Sequence, residues 1–306
     1  MKVVITGAGG FIGKNLLLGL ASSHDILALD RIESLEDFVK SHSLERVSVG
    51  VCDLTDEAAL ERLAGEWGNS PDAVVYLAGN GNPAYSVDHP KEDLRDTVLG
   101  LVGFFKFFHP RRAIYFSSGA VYDGLSGPVS PDSRIDPRLP YAISKLACEQ
   151  YIKFFHKMKR IKEYVILRFF GAYGPYEPPR KIYTKLVRTF FLEGKEEFTI
   201  RGDGKNLIDA MYVADTVKAV ENILAGVVRE NVVDFCVGEP LPLRQLVEEA
   251  ARIFGRKVKI TTLGEVPEYI NFRASPDEFK KLFNFAPRIP LSEGLPALAL
   301  FLKEAG

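Results

Sequence analysis

The chain has 306 residues, 46% apolar and 26% charged, a composition typical of a globular protein with room for about two domains. Its 39 basic and 40 acidic residues give a formal net charge of −1, which gives no support to nucleic acid or a membrane surface as a partner. No apolar run is long enough to predict a transmembrane helix.

The three cysteines, Cys52, Cys148 and Cys236, are far apart and odd in number. They do not form the pattern of a disulfide framework and favour a reducing, cytoplasmic location. The first residues already have a strand pattern, so we expect no signal peptide. The histidines lack metal-ligand spacing such as H-E-x-x-H, so the sequence predicts no metal site.

Short apolar segments alternate with amphipathic ones along the first part of the chain. The predicted strands are 2–6, 25–30, 46–51, 73–78, 112–118 and 164–168, and the predicted helices lie near 11–22, 34–42, 55–67, 91–108 and 141–160. Strands that are rich in Val, Ile and Leu and show little alternation are typically buried on both faces. The pattern therefore predicts an α/β fold, a doubly wound parallel sheet with helices on both sides.

The chain changes character after residue 170. Residues 171–183 hold three prolines and two glycines, which predicts a loop. Helical patterns follow near 180–194, 215–226, 242–254 and 292–303, and the apolar run 231–237 can return to the main sheet. We predict a first domain over residues 1–170 with the return of 209–238, and a smaller, mostly helical lobe over 171–208 and 239–306. Ligands of open α/β sheets bind in the crevice at the carboxyl ends of the strands.

A glycine-rich turn joins the first strand to the first helix. Gly7, Gly10 and Gly13 are spaced G-x-x-G-x-x-G, and the helix begins with Phe11 and Ile12. Glycines let the backbone amides approach a pyrophosphate closely, and the helix N-terminus adds partial positive charge. The turn predicts a dinucleotide-binding Rossmann domain, with a purely structural turn as the alternative.

Residues at the ends of the next strands fit the same ligand. Asp30 lies 23 residues after Gly7, near the offset of an acid that binds ribose hydroxyls, with a turn residue at the strand end as the alternative. Its charge would repel a 2′-phosphate and favours NAD over NADP, whereas the neighbouring Arg31 opposes that preference. Asp53 and Leu54 follow the third strand, where an adenine ring would lie, with capping of the next helix as the alternative for Asp53. The fourth strand leads into Leu77, Ala78 and Gly79, whose small residues let a cofactor pass close to the backbone.

A tyrosine and a lysine lie four residues apart at the start of a predicted helix. Tyr141 and Lys145 share one helix face, and a nearby ammonium favours the phenolate form of tyrosine. Such a tyrosine can exchange a proton with a substrate hydroxyl. Ser118, at the end of the fifth strand, can hydrogen-bond the same oxygen, with a turn or helix-cap role as its alternative. For the pair, the alternative is a surface lysine that covers a half-buried tyrosine.

Together these motifs resemble the extended short-chain dehydrogenase/reductase family, and within it the NAD-dependent nucleotide-sugar epimerase/dehydratase group. The resemblance covers nearly the whole chain. Its motifs here are TGAGGFIG (6–13), YLAG (76–79), SSGAVY (117–122), PYAISK (140–145), LRFFGAYGP (167–175) and GDGKNLIDAMYVAD (202–215).

The resemblance implies NAD as cofactor and a nucleotide sugar as substrate. It implies that Tyr141 is the acid/base, that Lys145 is its partner and a cofactor contact, and that Ser118 orients the reacting hydroxyl. Phe169 and Phe170 would then fall beside the nicotinamide.

The resemblance also implies a homodimer joined by a four-helix bundle from helices 91–108 and 141–160. The aromatic run FFKFF (104–108) fits such a bundle, with burial inside one subunit as the alternative.

The chain departs from the family pattern at several positions. Gly171 and Ile208 replace an Asn and an Arg that often contact the substrate diphosphate, Thr97 replaces an Asn, and Asp123 replaces a Gly. The residues that could supply replacement charge are Arg180, Lys181, Lys205 and Arg273, each of which could equally be a solvated surface residue.

The leading hypothesis is a nucleotide-sugar epimerase acting at C4 of the sugar, by transient hydride transfer to NAD and proton transfer by Tyr141. A 4-keto-sugar reductase, a dehydratase and a decarboxylase of the same family are alternatives. Gly119 and Ala120 stand where family dehydratases carry an Asp-Glu pair, which argues against 4,6-dehydration. A non-enzymatic dinucleotide-binding protein is the third possibility, because a fold alone does not establish activity.

Overall fold

In the computed structural model, which describes residues 1–227, 230–264 and 270–305, strands and helices alternate along most of the chain. The strands are β1 (Lys2–Thr6), β2 (Asp25–Asp30), β3 (Val47–Val51), β4 (Ala73–Tyr76), β5 (Arg112–Phe116), β6 (Ser126–Pro128), β7 (Glu163–Phe169), β8 (Ala172–Tyr173), β9 (Glu197–Arg201), β10 (Leu207–Ile208), β11 (Met211–Tyr212), β12 (Asn231–Phe235), β13 (Leu241–Pro242), β14 (Lys259–Leu263) and β15 (Asn271–Arg273). The helices are α1 (Phe11–Leu20), α2 (Ser34–Ser41), α3 (Glu57–Trp67), α4 (Pro83–Asp88), α5 (Pro90–Leu94), α6 (Gly100–Phe107), α7 (Pro140–Lys157), α8 (Ile182–Val187), α9 (Val213–Ala225), α10 (Leu243–Ile253), α11 (Asp277–Phe283) and α12 (Leu291–Ala305).

Seven of these strands form one parallel sheet in the order β12-β7-β5-β4-β1-β2-β3. The last residue of β1, Thr6, pairs with Leu29 of β2 and Tyr76 of β4, so the three strands end at one edge of the sheet. The predicted doubly wound α/β class is confirmed. The segments predicted as 73–78 and 112–118 end earlier, at Tyr76 and Phe116, because the chain turns there into its glycine and serine loops.

The chain divides into two compact units. The first comprises Met1–Gly124, Arg134–Phe169 and Val220–Phe235, and the second comprises Leu125–Ser133, Phe170–Ala219 and Cys236–Gly306. Residues 125–133 and 170, predicted in the first domain, and residues 209–219 and 236–238, predicted in the returning segment, belong by their contacts to the second unit. Residues 228–229, 265–269 and 306, which belong to the predicted domains, lie outside the described residues.

Aromatic side chains fill the core between the sheet and helices α3, α6 and α7 of the first unit. Tyr76 packs on Phe104 and Phe105 at ring-centroid distances of 5.6 and 5.8 Å, and Phe104 stacks on Phe108 at 4.7 Å. Phe104, Phe105 and Phe108 are fully buried. The FFKFF run therefore belongs to this core, and its expected place on a bundle face between subunits is wrong.

Two predicted helices contain a π turn. The segment predicted as 91–108 is α5, a π turn over Arg95–Leu99 and then α6, with Gly100 N donating to Arg95 O. The segment predicted as 180–194 is α8 followed by a π turn over Arg188–Leu192. A π turn inserts an extra residue into the helical period, so a pattern based on 3.6 residues per turn does not locate it.

A buried arginine fastens the returning segment to the first unit. Arg112 of β5 is 4% exposed and donates to the carbonyl oxygens of Ile223, Leu224 and Gly226, at the end of α9, and to Glu163. These carbonyls are among those that a helix leaves without internal donors. The guanidinium therefore caps α9 at the point where the chain leads toward β12.

The second unit has its own core, in which α8, α10 and α12 pack together around Tyr173, Leu246 and Leu298. Its strands form two-stranded sheets, including a parallel pair of β9 with β14 and an antiparallel pair of β10 with β13. These short pairs hold the loops between the helices.

Candidate active site

The glycine turn after β1 has no room for side chains. Gly7 has a φ of +69°, and a Cβ there would lie 2.9 Å from the amide nitrogen of Ala78. A Cβ on Gly13 would overlap the carbonyl oxygen of Gly7 and lie 2.6 Å from the Cα of Ala8. Gly10 precedes α1 and provides no side-chain cap, so the first-turn amides point out of the helix end. This cradle fits the pyrophosphate of a dinucleotide.

Two backbone amides fix the carboxylate of Asp30 at the end of β2. Gly9 N donates to its Oδ2 and Arg31 N to its Oδ1, both at 2.8 Å. A carboxylate oxygen has two lone pairs, so each oxygen retains a site for a hydroxyl donor. The arrangement fits a ribose diol beside the glycine turn.

Four charged side chains form a chain of ion pairs beside Asp30, defined here as the surface ion network. Arg31 Nη1 lies 2.9 Å from Asp96 Oδ2, Asp96 Oδ1 lies 3.5 Å from Arg95 Nη1, and Arg95 bonds Asp53. Thr55 donates to Asp53 through its amide and its hydroxyl. Burial alone raises the pKa of Asp53, but the Thr55 hydrogen bonds and the nearby guanidiniums outweigh burial and hold the pKa below its usual value.

The end of β4 lies close to the glycine turn. The amides of Leu77 and Ala78 both donate to Thr6 Oγ1 at 3.2 Å. Gly79 has a φ of +126°, and a Cβ there would lie 3.0 Å from Thr97 Oγ1. Thr97, which departs from the family pattern, thus packs directly against this turn.

Leu54 lies in the hydrophobic core of the first unit. Its side chain is 8% exposed. A Cβ on Gly103 of α6 would lie 2.7 Å from Leu54 O, and one on Gly100 would lie 3.5 Å from Leu54 Cβ. The two glycines let α6 approach this segment closely, so the carbonyl oxygen of Leu54 packs against the helix.

The serine loop after β5 is joined to the start of α7. Ser118 caps a short 3₁₀ turn, Gly119–Tyr122, by accepting a hydrogen bond from Ala120 N at 3.1 Å. The cap uses the serine oxygen as an acceptor and leaves its O–H free to donate. Asp123 is 9% exposed, and its Oδ2 accepts from Arg138 N and Leu139 N, which immediately precede α7. Asp123, which stands where the family pattern has Gly, therefore joins the serine loop to the start of α7 by hydrogen bonds.

Tyr141 and Lys145 share the first turns of α7, as predicted. The Tyr141 amide donates to Ser86 Oγ at 3.0 Å. Lys145 is buried, and its Nζ donates to Phe116 O at 3.1 Å and lies 5.8 Å from the centre of the Tyr141 ring. The ammonium is thus held between the end of β5 and the ring of Tyr141.

A buried ion network lies one helical turn beyond Lys145. Glu149 is fully buried and accepts two hydrogen bonds from Arg168 and one from Ser117 Oγ. Arg168 Nη1 also donates to the hydroxyl of Tyr122, which donates to Asp234 Oδ1 at 2.7 Å. Burial and the Asp234 carboxylate raise the pKa of Tyr122, so its hydroxyl stays protonated. This network could not be predicted from the sequence, because no local spacing joins residues of four separate elements.

The predicted nicotinamide-side aromatic residues fall in different units. Phe169 is partly exposed, and its ring packs on Phe116 and Phe235 at centroid distances of 5.4 Å each. Phe170 belongs to the second unit, where it packs on Phe272 at 6.1 Å.

The family departures in the second unit have local structural reasons. Gly171 has a φ of +136°, a conformation that strains any residue with a Cβ. Ile208 is partly buried against the core of the second unit. The next residue, Asp209, accepts hydrogen bonds from Val237 N and Gly238 N, while burial raises its pKa.

The predicted replacement cations differ in their surroundings. Lys205 is 82% exposed and pairs with Asp203 at 3.0 Å, and Arg273 is exposed. Burial lowers the pKa of Lys181, and the nearby Glu177 partly offsets that effect. The alternative of a solvated surface residue therefore describes Lys205 and Arg273, whereas Lys181 is a cation in a partly buried setting.

Within the described ranges, no group of three or more His, Cys, Asp or Glu residues is placed to hold a metal ion. No helix in the same ranges is both long and apolar enough to span a membrane.

Comparison with known proteins relates this geometry to a family. UDP-glucuronate 4-epimerase of Thermodesulfobacterium geofontis is 25% identical over 98% of this chain and 96% of its own. UDP-glucose 4-epimerase of Mycolicibacterium smegmatis is 30% identical over 72% of each chain. The crystal structure of UDP-glucuronic acid 4-epimerase from Bacillus cereus with UDP-glucuronic acid and NAD is 26% identical, has a TM-score of 0.87 and covers all of both chains.

The family model described as NAD dependent epimerase/dehydratase family matches residues 3–237. That span includes the glycine turn, the serine loop and the Tyr141–Lys145 pair. The chain belongs to the NAD dependent epimerase/dehydratase family.

Proposed function

We propose that this protein is a nucleotide-sugar 4-epimerase that acts on UDP-hexoses of the glucose and galactose type. The observation that carries the proposal is the buried Lys145 ammonium, fixed on Phe116 O and 5.8 Å from the Tyr141 ring, on the helix tied to the serine loop. The named 4-epimerase relatives support the reaction class. The first unit would bind the cofactor and the second unit the sugar nucleotide.

The glycine turn between β1 and α1 would fix the position of the dinucleotide, and the other contacts would follow along the strand ends. The first-turn amides at Phe11, Ile12 and Gly13 would hold the pyrophosphate, and Asp30 the adenosine ribose. Asp53 and Leu54 would lie at the adenine, and Leu77 to Gly79 would face the cofactor where β4 ends. Phe169 and the Tyr141–Lys145 pair would lie at the nicotinamide end.

The chain's own residues manage the proton and the position of the sugar. Tyr141 would take the proton of the 4-hydroxyl and return it after the 4-keto sugar has turned over in the pocket. Ser118, whose O–H is free of its capping role, would donate to the same oxygen, and Lys145 would stabilise the phenolate. NAD, when bound, would supply a reversible hydride acceptor, so the reaction would have no net redox change.

The first test is incubation of the purified protein with UDP-galactose and catalytic NAD⁺, followed by separation of the products. We expect an isobaric product that co-elutes with UDP-glucose. UDP-glucuronate is the second substrate, and its turnover alone would move the proposal to uronic acids. Net consumption of a reduced nicotinamide would instead favour the 4-keto-sugar reductase alternative. No turnover of any UDP-sugar would contradict the proposal.

The catalytic assignment is tested with Tyr141→Phe. Loss of the acid/base should lower kcat by about 10²–10⁴-fold, because the ring remains and only the proton-transfer group is lost. Dinucleotide binding, followed by fluorescence titration, should survive. Tyr151→Phe removes a hydroxyl from an exposed tyrosine of the same helix and is the matched control. Unchanged turnover in Tyr141→Phe would remove Tyr141 from the mechanism.

We infer further that the protein forms a homodimer through α5 with the π turn that follows it, and α7. These helices expose large apolar side chains, a pattern typical of an interaction surface. The residues are Leu94, Leu99, Ile143, Tyr151, Phe154 and Met158, which are 39–56% exposed. Leu94 and Leu99 are five residues apart, and the i→i+5 bonding of the π turn brings residues at that spacing toward one side of the helix.

The dimer is tested by light scattering after gel filtration. Phe154→Glu places a charge on the apolar face and should yield a monomer, whereas Leu18→Glu, at an exposed apolar residue of α1, should not. A monomeric wild-type protein would rule the interface out.

We also propose a cytoplasmic location, which is supported by three buried, free thiols, Cys52, Cys148 and Cys236.

A further inference from the structure

Two side chains of opposite charge stand next to each other where the adenosine ribose is expected. Asp30 presents a carboxylate that two backbone amides hold in place. Arg31 follows it directly, with a side chain that is 62% exposed. A guanidinium is a strong bidentate ligand for phosphate, so Arg31 by itself would attract a 2′-phosphate that Asp30 repels. The sequence alone therefore does not decide whether the site prefers a dinucleotide with or without a 2′-phosphate.

The structure gives Arg31 another partner. Its Nη1 donates to Asp96 Oδ2 at 2.9 Å, across 65 positions of sequence. Asp96, which lies in the π turn between α5 and α6, is the less exposed member of the pair, at 21%. Its second oxygen faces Arg95, which in turn bonds Asp53. The partner of Arg31 is thus itself held on its other side.

We propose that Asp96 is a specificity-determining residue that makes the site selective for a dinucleotide without a 2′-phosphate. It does so by engaging Arg31 and by adding negative charge. Together with Asp30, the surface ion network has three carboxylates and two guanidiniums, a net charge of −1 beside the ribose. Without Asp96 the net charge is zero and Arg31 is available to a phosphate dianion. The proposal rests on the dinucleotide site of the proposed function, but not on the sugar or the reaction.

The experiment compares the Kd of NADH and NADPH in the wild type, Asp96→Asn and Asp96→Asn/Arg31→Ala, by fluorescence titration at low salt. Asp96→Asn should tighten NADPH binding by about tenfold, the scale of one charge-assisted hydrogen bond, and change NADH binding by less than about twofold. Adding Arg31→Ala should abolish the gain. The gain should also fall as salt screens the exposed guanidinium.

Glu33→Gln is the matched control, because it removes one negative charge two residues from Arg31 at an exposed position. It should leave the NADPH/NADH ratio unchanged. Binding of adenosine 2′,5′-bisphosphate against 5′-AMP provides a second measurement that does not require the nicotinamide end, and Asp96→Asn should favour the bisphosphate.

The outcomes separate this inference from the proposed function. An unchanged ratio in Asp96→Asn, an equal gain in Glu33→Gln, or a gain that persists without Arg31 would each overturn the role of Asp96. A wild type that binds no NADH would overturn the dinucleotide site itself. A wild type that binds NADH selectively but epimerises no UDP-sugar would leave this inference standing while the proposed function fails.

Discussion

Two ion networks of the first unit, the buried network around Glu149 and the surface ion network, differ chiefly in their access to water. In the buried network, Arg168 and Glu149 are 4% and 0% exposed. In the surface ion network, exposure ranges from 62% for Arg31 to 21% for Asp96. Both link separate elements, and both lie beside residues of the candidate site.

Because the two networks differ in solvation, the loss of one charged partner has a different energetic cost in each. Removing one partner of a buried pair leaves a charge without water or counter-charge, which is strongly destabilising. Removing one partner of an exposed pair leaves a charge that water solvates. The buried network can therefore hold the serine loop and α7 in place, whereas the surface ion network can exchange its partners for a ligand.

The largest effect is expected from Glu149→Ala. The variant leaves Arg168 buried without its counter-charge, and the free energy of unfolding should fall by about 3–5 kcal/mol. Urea denaturation measures it, with Glu61→Ala, at an exposed glutamate of α3, as the control. The double variant Glu149→Leu/Arg168→Met should be more stable than Glu149→Ala, because neither charge remains. A loss below about 1 kcal/mol in Glu149→Ala would remove the distinction between the networks.

Asp123 provides an intermediate case, since it is 9% exposed and its carboxylate accepts hydrogen bonds from backbone amides. Asp123→Ala leaves the amides of Arg138 and Leu139 without their acceptor, which should cost about 1–3 kcal/mol. Because those amides precede the tyrosine helix, kcat should fall more than KM rises. Asp123→Asn keeps an acceptor and should restore most of both quantities. If the asparagine variant were as impaired as the alanine variant, charge rather than hydrogen bonding would be the cause.

A smaller effect is expected when the surface ion network loses one carboxylate. Asp96→Asn should change the free energy of unfolding by less than about 1 kcal/mol, and added salt should reduce the difference further. Thermal unfolding at low and high ionic strength measures it. A loss as large as that of Glu149→Ala would show that exposure does not separate the two networks.

The smallest effect concerns pH. The pKa of Asp53 is lower in the native protein than its usual value, so the unfolded chain binds more protons in the window between the two values. The stabilisation is complete above the unfolded pKa, about 3.9, and is lost as pH falls through the native pKa. The stability difference between wild type and Asp53→Asn should therefore be constant near neutral pH and shrink only under acid conditions. A change between pH 6 and 8 would contradict this assignment.

Much of the sheet could be predicted from the sequence because its strands are buried on both faces. All seven segments expected in the sheet are there, and Gly7, Asp30, Ser118 and Lys145 lie at or just beyond strand ends or on the helix expected. The apolar runs and the G-x-x-G-x-x-G spacing are local, so a single sequence contains them.

Contacts between residues that are far apart in the sequence could not be predicted. The FFKFF run has the same apolar character whether it faces a second subunit or the core, and only the packing of α6 on the sheet decides. The partner of Arg31 is 65 residues away in sequence. The tie from Asp123 to the start of α7 joins two loops whose meeting no spacing encodes.

The hydrogen bonds of Arg112 determine whether a shortened polypeptide can form the first unit. The guanidinium is 4% exposed, and its Nη atoms donate to three carbonyl oxygens, at Ile223, Leu224 and Gly226. A polypeptide that stopped at Phe169 would lose these acceptors together with β12, and would bare the edge of β7 in their place. The first unit therefore cannot be expressed as a continuous N-terminal fragment. It becomes complete only after synthesis of the chain has passed residue 235.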